Sequence, residues 1–379
     1  MAAATSHPPV LTDPVTGETF PIYPGYLPVD GGRCVTIFVD DTPDEISLGL
    51  RAGSYRLPAG FDLLPQLAPP GGRVLDLGGH VGVFALAAAA LGYEVMAVEA
   101  SPRNAALLAY SAAAHGLSER VQVVHAAVGD HEGTVEFLHA GPYGFVANPH
   151  VPGPTVTVRL ATVAALLAEA GWTAVDFIKL DVEGSEAAAL AGMAALLDGA
   201  DAPPILFESN SYTLHLFDAD PYGLRERLAL HGYRSYQVDW GRLAPVQPAD
   251  LQPESCLDYL AVKRPLPPLR GWQIVPPIGA ATLAARLAAS AHEAHPHARL
   301  HAARTLAAAP LSLLCRPEII DALDRLVEDG DEQVRAAAAW WWAGTPSRRA
   351  QALARRRAEE GKAALRRAIR VRLQRRWLA

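Results

Sequence analysis

Cysteine is scarce in the 379-residue sequence: Cys34, Cys256 and Cys315 stand far apart, and no two share a CxxC spacing. That excludes a thiolate zinc site and a disulfide framework. A strong charge of one sign is also missing. The net charge is only −7, so no global field marks a nucleic-acid binder. No apolar run reaches the roughly 18 residues of a membrane-spanning helix. The opening "MAAATSHPPV" lacks the basic start and apolar stretch of a secretory signal. These absences lead to the expectation of a reduced, soluble, cytoplasmic protein with no membrane contact.

What is present is a large apolar content, 50% of residues, arranged in segments of different character. Residues 1–60 are rich in Pro, Gly and Asp and hold one clear strand candidate, "RCVTIFV", so they read as a β-containing N-terminal extension. Over 61–265 short apolar runs alternate with helical ones, which predicts an α/β domain with a parallel, Rossmann-like sheet. The strands are "RVLDL", "EVMAVEA", "VQVVHAA", "DFIKLD", "PILFES", "YRSYQVD" and "CLDYLAVK". Helices begin near Gly82, Pro102, Thr162, Ser185 and Pro221. The stretch "KRPLPPLRGWQIVPP" carries five prolines and reads as a linker, placed at 266–278. Residues 279–379 are rich in Ala, Leu and Arg with a helical period. There "HARLHAARTLAAAP" and "EQVRAAAAWWWAGTP" match at an offset of 36 residues, a pattern resembling HEAT-type repeats.

The most informative stretch is "RVLDLGGHVGVFALAAAALGYEVMAVEASP". A strand ends at Asp76, glycines follow at Gly78, Gly79 and Gly82, and a helix starts at once. Such a loop turns tightly, lets a ligand approach and presents unpaired helix N–H groups. The next strand ends at Glu99, placed to accept from two ribose hydroxyls. The dinucleotide fingerprint G-x-G-x-x-G is not matched. An acid two residues before the first glycine would repel a pyrophosphate but suits a cation, which favours S-adenosyl-L-methionine (SAM) over NAD.

A second stretch, "DFIKLDVEGSE", begins as a buried strand and ends in ionisable residues. Lys179, Asp181 and Glu183 alternate and so share a face while the chain stays extended. Ligands of open α/β sheets bind beyond the carboxyl ends of the strands, which places these groups beside the transferred group. Asp181 is expected to contact the methionine end of SAM or the acceptor, Glu183 is the first candidate for general base, and Lys179 pairs with a carboxylate or orients the acceptor. A competing reading has Lys179 and Glu186 merely bracing the strand–helix junction. No metal is expected; the rival is Mg²⁺ on Asp181, Glu208 and Asn210.

These motifs, with "VLDLGGHVGVFAL", "VEASP", "VVHAAVGD" and "VDFIKLDVEGSEAAALAG", resemble the FkbM family of class I SAM-dependent methyltransferases over about Val74 to Lys263. The resemblance implies a seven-stranded methyltransferase sheet, SAM as methyl donor, and O-methylation of a sugar or natural-product hydroxyl. The implied cofactor residues are Asp76, Gly78, Gly79, His80, Gly82, Glu99, Ala100, Ser101 and Ala127. His80 stands where the family frequently has Asn. Glu208, Asn210, His215 and Tyr143 are candidates on the acceptor side, Tyr143 in a Gly/Pro-rich loop with the character of a lid. The alternatives are N- or carboxyl-methylation of a peptide or small molecule, and a scaffold that keeps the fold without turnover. Expected partners are a small-molecule, glycan or peptide acceptor. Homo-oligomer or carrier-protein contact would run through the C-terminal helices, where Trp340–Trp342 cannot all share one core face and a basic tail follows Arg348.

Overall fold

The computed structural model describes residues 8–30, 32–138, 144–314 and 316–344. The predictions for Tyr143 and for the basic tail lie outside them, as does anything concerning the side chains of Trp340–Trp342. Two compact units emerge. One runs to Pro248 and resumes over Asp258–Val275; the other comprises Ala249–Leu257 and the chain from Pro276 on.

Among the described residues of the first unit, nine strands form the central sheet. They are β1 (Arg73–Leu77), β2 (Glu94–Glu99), β3 (Val121–His125), β4 (Phe177–Leu180), β5 (Ile205–Asn210), β6 (Arg234–Asp239), β7 (Arg242–Val246), β8 (Cys256–Val262) and β9 (Gln273–Ile274). Their spatial order is β9-β7-β6-β8-β5-β4-β1-β2-β3. β3, β2, β1, β4 and β5 pair in parallel, whereas β8 and β7 run antiparallel to β6. The apolar runs become central strands because helices cover both faces of a parallel sheet. Apart from Lys179, β4 is fully buried.

The sheet exceeds the seven strands expected. β7 returns from β6 across a two-residue loop, and Gln273–Ile274, inside the stretch read as linker, pairs in parallel with Arg242–Leu243. All five prolines of that stretch stand outside the pairing, so they do not prevent it. The order of the parallel strands reverses between β1 and β4. That reversal opens a crevice at the carboxyl edge.

The N-terminal extension joins the same core. Strand Cys34–Val39 pairs with Tyr23–Pro28, and Ile22, Leu27, Val35, Ile37 and Leu50 are buried in one apolar cluster with Ala85–Ala89 of helix α1 (Val83–Ala90). Arg103 Nε meets Asp40 at 2.6 Å, and its guanidinium lies 4.0 Å from the Phe20 ring centroid.

In the second unit, helices Ala280–Ser290, Pro296–Ala308, Pro317–Leu326 and Glu332–Gly344 bury Leu287, Leu300, Leu306, Leu323 and Leu326 together. Arg286 and His301 tie segment 249–257 to them, through Glu254 Oε1 at 2.8 Å and the Gln252 carbonyl at 3.0 Å.

Candidate active site

A cavity of about 340 Å³ opens at the carboxyl edge, lined from the loop after β1 and from β2, β4, β5 and β8. Its floor follows from register. Lys179 stands directly opposite Asp76 across the β4–β1 pair. Its ammonium donates to the Gly78 carbonyl at 2.7 Å and lies 3.2 Å from Asp181 Oδ2 and 3.6 Å from Asp76 Oδ1. Burial opposes the Lys179 charge, but Asp181 and Asp76 outweigh it and hold its pKa above the ordinary value.

Asp76 is fully buried and does not line the cavity. The Lys179 ammonium, 3.6 Å from Oδ1, acts on this carboxylate mainly as a charge. Burial, with a smaller push from Asp181, raises its pKa to about 6. Asp76, expected among the cofactor-binding residues, thus lies beneath the glycine loop rather than in the cavity wall. Lys179 ties the glycine loop to Asp181.

The loop itself is held from two sides. The N–H groups of Gly78 and Gly79 donate to the Val98 carbonyl. Glu99, at the end of β2, accepts from His80 N and Ser101 N, each at 2.7 Å. Burial raises the Glu99 pKa and these two bonds restrain the rise. Each oxygen keeps a lone pair for a ribose hydroxyl. Burial lowers the His80 imidazole to about 4, so it is neutral near pH 7. Gly78, Gly79, His80, Glu99, Ala100 and Ala127 line the cavity. Gly82 and Ser101 instead begin helices: Gly82 caps α1, and Ser101 caps Pro102–Ala114 with its hydroxyl accepting from Asn104 N.

Beyond β4 the chain turns sharply. Glu183 has φ of +51° and Gly184 of +101°. A side chain at Gly184 would place Cβ 2.5 Å from the Thr213 carbonyl oxygen, which leaves room only for glycine. Glu186, 1% exposed, secures the turn by accepting from Val182 N at 3.0 Å and Gly184 N at 3.2 Å. Glu183 therefore faces the cavity, where Asp181, Glu183 and Glu208 each bring an oxygen within 4.8 Å of the others. The pairing Leu180↔Phe207, extended one step, puts Asp181 opposite Glu208. Burial, then Asp181 and Glu186, raises the Glu183 pKa to about 8.

Two further expected acceptor residues, Asn210 and His215, do not line the cavity. Asn210 caps helix Ser211–Leu216, accepting from Tyr212 N at 3.1 Å, and His215 Nδ1 is bonded to the Ser211 carbonyl within that helix. The cavity gains residues that motif reading missed. Asp258 enters from β8, and Ile46, Tyr55, Pro58 and Ala59 enter from the N-terminal extension. The only signal for Asp258 was an acid inside an otherwise apolar strand.

Glu186 yields a stability prediction. Burial raises its pKa from 4.5 to about 7. A raised acid binds its proton more tightly when folded, so its contribution is complete below the unfolded pKa and is lost as pH rises through the folded one. Wild-type thermal stability should therefore fall between about pH 5 and pH 7. Glu186→Gln should flatten that fall. Glu186→Ala, which strands two buried N–H groups, should cost about 1–3 kcal/mol. Thermal unfolding across pH would show all three trends.

Comparison with known proteins now bears on this geometry. The profile of the methyltransferase FkbM domain matches residues 76–235. Residues 76–235 form an FkbM methyltransferase domain. The match takes in the glycine loop, Glu99, Lys179, Asp181, Glu183 and Glu208; Asp258 and the 46–59 segment fall outside it. It does not extend to the C-terminal helices, so their likeness to HEAT-type repeats rests on sequence period alone.

Among solved structures, a SAM-dependent methyltransferase from Agrobacterium tumefaciens is similar at 15% identity, covering 65% of this chain and 74% of its own, with a TM-score of 0.37. A protein of the NADB-Rossmann superfamily from Streptococcus agalactiae is similar at 13% identity, covering 75% and 98%, with a TM-score of 0.35. A SAM-dependent O-methyltransferase from Thermotoga maritima is similar at 14% identity, covering 53% and 62%, with a TM-score of 0.28. No curated protein matches the sequence. The FkbM domain is a SAM-dependent methyltransferase. Among the described residues no helix is long and apolar enough to cross a membrane.

The residues present fit SAM. The loop Gly78–His80 supplies a close backbone edge, Glu99 a carboxylate for the ribose, and Ala100, Ala126, Ala127 and Val128 a flat apolar wall for the adenine. The lining, rich in acids and with Lys179 its one cationic side chain among the described residues, suits a ligand with net positive charge.

Proposed function

We propose that the FkbM domain methylates a hydroxyl on a sugar or natural-product acceptor, with Glu183 taking the hydroxyl proton. When bound, SAM supplies a methyl group on a sulfonium, which leaves as a neutral thioether. The protein's tasks are then alignment and proton removal. Lys179 holds the glycine loop and Asp181 in one frame, fixing the donor side. Alignment of this kind is worth up to about 7–11 kcal/mol.

A single observation carries the assignment of the base. Glu183 is a cavity-facing carboxyl whose burial raises its pKa to about 8, close to working pH, where a base best combines availability with proton affinity. Support also comes from the tight turn, which leaves this side chain few alternatives to facing the cavity.

Transfer of isotope-labelled methyl from SAM to a panel of monosaccharides and polyols tests the reading. The expected product is an alkali-stable ether. An alkali-labile ester as the only product would point to carboxyl methylation instead.

A further inference from the structure

Resting on the methyltransferase reading, the acceptor side can be specified further by following charge around the cavity. Five carboxylates line it, from Glu99, Asp181, Glu183, Glu208 and Asp258, and among the described lining residues one side chain, Lys179, is cationic near pH 7. Lys179 already answers Asp181 and Asp76, and Glu99 sits where the ribose belongs. SAM brings a sulfonium, an ammonium and a carboxylate, one positive charge in sum. Even with Glu183 largely protonated near pH 7, Glu208 and Asp258 remain acids in a cavity whose described lining holds one cationic side chain, Lys179.

Of the two that the transfer chemistry does not use, Glu208 and Asp258, the latter enters from a different side. It lies near the start of β8, which runs antiparallel to β6 and borders β5, so it reaches the cavity from the side away from the glycine loop. Burial and then Asp181 oppose its ionisation. A neutral acceptor would leave that cost in place, and an anionic one would increase it. An ammonium group would remove it.

We infer that Asp258 selects the acceptor and that the acceptor bears a protonated amine, seated at Asp258 while its hydroxyl lies beside Glu183. An amino sugar or amino polyol has this chemistry; a sugar acid or sugar phosphate is rejected. A divalent cation is the competing occupant of such carboxylates. On Asp181 it would stand close to the Lys179 ammonium, which already holds that carboxylate at 3.2 Å. The geometry therefore favours the organic cation.

Three small two-carbon probes separate charge from shape: ethanolamine, ethylene glycol and glycolate. Each is titrated at matched ionic strength against the full chain, with and without S-adenosylhomocysteine, and affinity is read from the rise in unfolding temperature. Ethanolamine should bind about tenfold or more tightly than ethylene glycol, and glycolate more weakly than either. Asp258→Asn should remove the preference for ethanolamine. Equal affinities in the wild type, or a preference that survives Asp258→Asn, would overturn the inference. Saturable stabilisation by Mg²⁺ exceeding that by ethanolamine would overturn it in favour of a metal. Should the variant fail to fold, the wild-type ranking decides alone. Loss of S-adenosylhomocysteine binding would count against the methyltransferase reading, while the arm without it still decides the role of Asp258.

Discussion

Gly78→Ala is expected to abolish SAM binding while leaving much of the fold in place. The added Cβ would lie 1.7 Å from the Asp181 carbonyl oxygen, and the residue sits at φ of +83°. Both demands must be met by moving backbone, because the obstructing atom belongs to the segment that follows β4. The left-handed conformation costs a non-glycine residue about 1–2 kcal/mol, and overpacking about 1–3 kcal/mol more. Relief would push the glycine loop away from Asp181 and break the Lys179 bridge between them. We expect SAM affinity to fall by more than about a hundredfold, the range that 3 kcal/mol or more implies. Calorimetry would measure it, with circular dichroism confirming the fold. Affinity within a few-fold of wild type would show that this loop does not receive the cofactor.

Glu183→Gln should reduce turnover by about 10²–10⁴-fold, the usual contribution of a positioned base, well beyond the smaller loss of SAM affinity that removing one carboxylate near the cation brings. Glutamine keeps the size and the turn but cannot take a proton. In the wild type, kcat/KM should rise with pH toward a plateau governed by a group with free-enzyme pKa about 8. Below that value Glu183 is protonated and cannot accept; above it the carboxylate is available. Bound SAM, being cationic, should pull the same group lower in kcat. The variant should lose this dependence. Methyl transfer measured across pH for both proteins would check it, and a variant with wild-type turnover would remove Glu183 from the chemistry.

Much of this arrangement was legible in the sequence. All seven strands read from apolar runs are present, because a parallel sheet buries both faces and each strand needs a near-continuous apolar segment. The helix starts at Pro102, Thr162 and Pro221 were equally plain, since proline and capping hydroxyls act locally. The extra strands were not legible. β9 has only two residues, both exposed, and lies in a proline-rich stretch, so no period marks it.

At the site, residues carried on one loop or one strand could be placed from spacing alone. Asp76 could not be assigned its partner, because that depends on the register between β1 and β4, which are about a hundred residues apart in sequence. Asp258 and Tyr55 were missed for the same reason: each reaches the cavity from a segment distant from any motif. Asn210 and His215 had the right position in the chain, after β5, yet local helix bonding claims both. Lys179 shows that a brace and a site residue need not be alternatives, since it pairs beneath the loop and lines the cavity at once.

The central claim is that the acid-lined cavity at the carboxyl edge binds SAM through Gly78–His80 and Glu99. Calorimetric titration of SAM into wild type and Glu99→Ala tests it most directly, run at several pH values. The account predicts binding at a single site, tightening from about pH 6 to pH 8 as the cation displaces protons from Glu183, Asp258 and their neighbours. It predicts loss of at least about tenfold in affinity for Glu99→Ala, from hydrogen bonds to a charged group worth about 1.5–3 kcal/mol each. Absence of SAM binding, or binding undiminished in Glu99→Ala, would contradict it.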